Sequence, residues 1–117
     1  MLKLEIKLNK QKIETVQEVT LGELQRKLDW MFAEWDLPKE ELADGTMFYV
    51  GKGRPRDYGA FGLLIMTLHE KEWFMNYVER WVWYNSDDGR TEEDYSIEDV
   101  LYFFTKKRSE GRCHQMN

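Results

Sequence analysis

The chain has 117 residues, of which 42% are hydrophobic, 33% charged and 15% aromatic. That length suits one domain; the apolar fraction excludes a disordered chain, and the density of charge excludes one embedded in lipid. A net charge of −5 and a pI near 5.1 oppose attraction of the whole molecule to a phosphate backbone, so any nucleic-acid contact has to be local.

The longest apolar run, around residues 62–68, is far short of the ~20 residues that span a bilayer. The N-terminus interleaves Lys and Glu with aliphatics and so lacks the apolar stretch of a signal peptide. A single cysteine, Cys113, rules out a disulfide framework and fits a reducing cytoplasm. The expectation is one soluble cytoplasmic domain over residues 1–108, followed by a frayed polar tail over 109–117.

Leu2, Leu4, Ile6 and Leu8 alternate with Lys3, Glu5 and Lys7, the period-two pattern of a half-buried strand. Residues 9–12 read as a polar turn, and 13–19 as a second strand candidate with poor alternation. Thr20 and Glu23 have the spacing of a capping box. Leu21, Leu24, Leu28, Met31, Phe32 and Trp35 then recur at helical spacing, in a helix that should end before Pro38. Asp44-Gly45 suits a type I′ turn ahead of the β-rich run 46–50, which predicts a hairpin. Residues 51–56 read as a loop, with Asp57 placed to cap the element after it. Tyr58, Phe61, Leu64, Ile65 and Leu68 predict a helix over 58–68, although Gly59 and Gly62 weaken it and 63–68 also suits a strand.

Residues 70–84 predict a further helix, broken by the turn-formers at 85–89. Ser96 and Asp99 suggest a second capping-type start, followed by the stripe Ile97, Val100, Leu101 and Phe104, with Lys106, Lys107 and Arg108 at the helix's negative end. The class is therefore α+β: a small antiparallel sheet, made of an N-terminal strand or hairpin and a central hairpin, packed with three to four helices. An opening strand–turn–strand–helix order would begin a β-grasp fold; a short sheet with a helical C-terminal half fits equally well.

Little in the chain has the spacing of a reactive centre. His69-Glu-Lys-Glu-Trp73 begins like a zinc-peptidase motif, but Trp73 stands where the second histidine belongs. Residues 85–94 have acidic side chains, yet setting Gly89 at the sixth position of a calcium loop puts Tyr84 first and Tyr95 twelfth, and neither is a ligand. No serine or cysteine has a nucleophile context, and the carboxylates are scattered. The expectation is a non-enzymatic protein without metal or cofactor. Lys52, Arg54 and Arg56, in a loop beside Phe48, Tyr49 and Tyr58, form a possible nucleic-acid contact together with the basic end over 106–112.

The aromatic residues, five tryptophans among them, carry the stronger signal. On a helix over 70–84, Trp83 falls on the polar side with Asn76, Glu79 and Arg80. Trp30 projects from its helix between Glu23, Arg26 and Glu34, and Tyr102 points away from the stripe of the last helix. Outward Trp and Tyr are typical anchors of protein interfaces, worth about 2 kcal/mol or more each. Trp30, Trp83 and Tyr102 are thus the candidate partner-binding residues, flanked by the acidic Asp87 and Asp88.

The stretch 72–78, the run 81–88 and the segment 97–102 resemble a group of small uncharacterised proteins carried on conjugative and other mobile elements of gram-positive gut bacteria; the opening 1–7 and the Asp44-Gly45-Thr46 turn are similar too. The resemblance brings no activity or catalytic residue. It implies an accessory gene of a mobile genetic element in a bacterial cytoplasm. The functional expectation is a module that docks on a protein partner, one version being an inhibitor of host nucleic-acid-handling machinery whose acidic segment 87–99 imitates phosphates. The alternatives are a small nucleic-acid-binding accessory protein and a structural or assembly accessory protein.

Overall fold

The alternating N-terminal segment becomes strand β1 (Leu2–Leu8) in the computed structural model, which describes residues 1–86 and 96–106. The chain continues through α1 (Lys10–Val16), α2 (Leu21–Ala33), β2 (Lys39–Glu41), β3 (Met47–Val50) and α3 (Pro55–His69). It then forms α4 (Glu72–Met75), β4 (Val78–Asn85), β5 (Ser96–Asp99) and α5 (Val100–Thr105). The strands lie in the order β2-β3-β1-β4-β5, and every neighbouring pair is antiparallel. This is the expected α+β class, with β1 at the centre of the sheet.

Alternation decides which side of β1 faces the helices. Leu2, Leu4, Ile6 and Leu8 join one buried cluster with Leu24, Leu28 and Phe32 of α2 and Phe61, Leu64 and Leu68 of α3. The start of α2 is the expected capping box: Thr20 Oγ1 accepts from the Glu23 amide, and the Glu23 carboxylate accepts from the Thr20 amide. That return bond holds the Glu23 carboxyl below its ordinary pKa. Phe32 then stacks on Tyr49 of β3 at 3.9 Å, tying helix to sheet. The central hairpin forms as β2–β3, through a longer loop over 42–46 rather than a two-residue turn. In that loop the Asp44 carboxylate accepts from the Thr46 amide, and Gly45 takes φ +92°, a conformation that favours glycine.

Four local expectations are corrected. Residues 10–16 are helical, in place of the polar turn expected over 9–12 and the second strand over 13–19, because Asn9 acts as an N-cap whose side chain accepts from the Lys12 amide. The N-terminus is therefore a strand and not a hairpin, and the β-grasp opening is absent. The long helix over 70–84 is instead the single turn α4 followed by β4. β4 is buried on both faces, which removes the alternation that marks a strand, while its Val, Trp and Tyr content favours one. Asp57 does not cap α3 from outside; it lies inside the first turn and accepts from the Lys52 and Arg54 amides. Ser96 begins strand β5, and the cap of α5 is Asp99, which accepts from the Tyr102 amide.

The pairing of β1 with β4 also accounts for a buried ion pair. Glu5 sits opposite Val82, which places Arg80 and Tyr84 at its diagonals on the face away from the leucines. Arg80 Nε donates to Glu5 Oε2 at 2.6 Å, and the Tyr84 hydroxyl donates to Glu5 Oε1 at 2.6 Å. Burial works against the Arg80 charge, but the hydrogen bond and the field of Glu5 outweigh it and raise its pKa.

Candidate partner-binding surface

Helix α2 turns Leu24, Leu28 and Phe32 into the core, so Trp30 is left outside and is 67% exposed. Helix α3 behaves in the same way. Ala60, Phe61, Leu64 and Leu68 are buried, while Leu63 on the flank towards α2 and Met66, almost opposite the buried stripe, are each 53% exposed. No charged residue occurs between Asp57 and His69, so the outer side of α3 carries no charge over that stretch. On α5, Val100 and Leu101 point inward, whereas Tyr102 is 40% and Phe103 70% exposed.

These side chains frame two grooves, one on each flank of α3. The groove towards α2 has a volume of about 490 Å³; Trp30, Met31, Trp35, Leu63 and Trp73 line it. Lys27, Glu34 and Lys71 stand at its margin, with the Lys27 ammonium 5.0 Å from the Trp73 ring centre. The groove towards α5 has about 510 Å³; Ile65, Met66, Tyr102, Phe103 and Phe104 line it, with Glu98, Asp99 and Lys106 at the margin. Leu63 and Met66, one turn apart, are the ridge between the two. Through them the exposed side chains of Trp30, Leu63, Met66 and Phe103 join into one apolar stretch across α2, α3 and α5.

Trp30 and Tyr102 therefore lie on this surface, and Trp83 does not. The outward position expected for Trp83 rested on a helix; on β4 the ring joins the core side of the sheet beside Trp81 and is 8% exposed. It packs 5.0 Å from Phe61 and edge-on to Tyr58 at 6.4 Å. Asp87 and Asp88 lie outside the described residues. Sequence reasoning missed Leu63, Met66 and Phe103, although the signal was present: each is apolar and falls off the inward stripe of its own helix.

The basic loop is occupied within the fold. Lys52 Nζ pairs with Asp36 at 2.9 Å, and Arg54 reaches Asp36 at 3.0 Å and Asp57 at 2.9 Å. The Lys52 hydrogen bond and the nearby Arg54 hold the Asp36 carboxyl below its ordinary range. Arg56 is exposed. Of the basic C-terminal end, only Lys106 is among the described residues; it lies 5.7 Å from the Tyr102 ring centre. His69 stacks on Phe104 at 3.9 Å, and among the described residues no group of three His, Cys, Asp or Glu is arranged to hold a metal. No described helix is long and apolar enough to cross a membrane. The chain matches no protein-family model, no curated protein and no solved structure.

Proposed function

We propose that the protein is a non-enzymatic binding module that docks on a protein partner through the outer side of α3 and the two grooves beside it. The observation that carries this reading is the contiguity of Trp30, Leu63, Met66 and Phe103. They are large apolar side chains on three helices, each more than half exposed, and the two grooves beside α3 join them. Aromatic rings in apolar hollows with charges at the rim are the arrangement expected of interface anchors. Nucleic-acid binding is less well supported, because Lys52 and Arg54 are neutralised by Asp36 and Asp57.

A photocrosslinking amino acid at position 30 or 103, with position 14 on α1 as an exposed control, tests the docking surface in cells that express the protein. Protein adducts are expected from 30 and 103 and not from 14. Equal labelling at all three, or none at 30 and 103, overturns the proposal.

A further inference from the structure

The two grooves differ in charge. Towards α2 the margin holds Lys27, Lys71 and Glu34, with Arg26 and Glu23 next to Trp30, and the three cations outnumber the two carboxylates. Towards α5 it holds Glu98, Asp99 and Lys106 and is negative on balance. Each groove also has a projecting ring at its outer edge, Trp30 on one side and Phe103 on the other. We propose that the partner seated on this surface is a second copy of the chain, related by a two-fold axis running along α3. The proposal rests on the docking surface described above and names its occupant.

The symmetry follows from where the charges sit. With the axis along α3, the two α3 helices face each other and run parallel, and the α2-side groove of one copy meets the α5-side groove of the other. Trp30 then enters the hollow lined by Ile65, Met66 and Phe104 of its partner copy, while Phe103 enters the hollow lined by Trp35 and Trp73. Lys27 and Lys71 come opposite Glu98 and Asp99, and the contact is made twice, as an isologous interface requires. An axis perpendicular to α3 would set like groove against like groove and oppose equal charges. Taken together, the two margins are nearly neutral although the chain carries −5, so repulsion between copies does not concentrate here.

Sedimentation of the full chain over a wide concentration range tests this. The mass should pass from one chain to two as concentration rises, and Trp30→Ala or Phe103→Ala should each weaken the association about tenfold or more. The symmetry has its own test in charge reversal. Lys27→Glu/Lys71→Glu and Glu98→Lys should each be monomeric with little change in melting temperature, and a one-to-one mixture of the two should dimerise. A wild-type chain that stays monomeric at millimolar concentration overturns the proposal, as does a mixture that associates no better than its components. Monomeric protein that still crosslinks to a different protein from positions 30 and 103 leaves the docking surface standing and removes the second copy. Monomeric protein with no adduct removes both.

Discussion

Trp83 leaves only 8% of its surface in water and lies against Phe61, so truncation would open a cavity between sheet and α3. Trp83→Ala should cost about 3–5 kcal/mol, enough to lower the melting temperature by well over 10 °C in a domain of this size. Trp30→Ala removes a ring that is mostly in water and should change stability by about 0.5 kcal/mol or less. Thermal denaturation of the two variants side by side checks the assignment; comparable losses would show that Trp30 is a core residue. The same amino acid takes opposite roles because the element beneath it differs. A 100° step per residue carries Trp30 away from Leu28 and Phe32, whereas the 180° step of a strand returns Trp83 to the side of Trp81.

At the scale of elements, Asp57 fastens the 51–54 loop to the first turn of α3. Its carboxylate accepts from the Lys52 and Arg54 amides and from Arg54 Nε at 2.9 Å. Burial would push its pKa up, but these bonds and the Arg54 charge outweigh it and hold the pKa below the ordinary aspartate value. The unfolded chain therefore takes up the proton first as pH falls. The stabilisation is complete above the unfolded pKa, near pH 4, and is lost progressively as pH drops through the lower folded value. Asp57→Asn should destabilise the protein by about 1–3 kcal/mol at pH 7. The gap in melting temperature between variant and wild type should narrow from pH 4 downwards. A gap that is the same at pH 2.5 and pH 7 would mean that Asp57 does not carry this charge-dependent link. The residue was visible in the sequence as a capping side chain, but the amides it serves precede α3 in the loop, and only the folded loop shows that.

For the whole molecule, the sheet order puts β1 between β3 and β4, with one face in the leucine core and the other sealed by the Glu5–Arg80–Tyr84 network. Opening β1 means breaking both ladders and exposing that ion pair, so its amides should exchange with solvent only through global unfolding. Hydrogen exchange should find the slowest protons in residues 3–7 and much faster ones in β2, the three-residue edge strand. Equal protection in the two strands would contradict the order of the sheet. A substitution at Trp30 or Phe103 should leave this protection pattern intact, since neither ring belongs to the buried cluster.

Where neighbouring residues decide the outcome, the amino-acid order was sufficient. The alternation of β1, the Thr20–Glu23 cap, the inward stripe of α2, that of α3 from Phe61 to Leu68, the central hairpin and the outward Trp30 follow from periodicity and capping chemistry, whereas Tyr58, expected in the α3 stripe, is 61% exposed. Long-range pairing decided the rest. Residues 78–85 have apolar side chains on both faces because helices cover one and Glu5 crosses the other, and a segment buried on two sides carries no period of its own. Likewise, Leu63, Met66 and Phe103 are, taken singly, ordinary exposed residues. They become one surface with Trp30 only when α2, α3 and α5 are laid beside each other, a relation set by packing and invisible to any window along the chain.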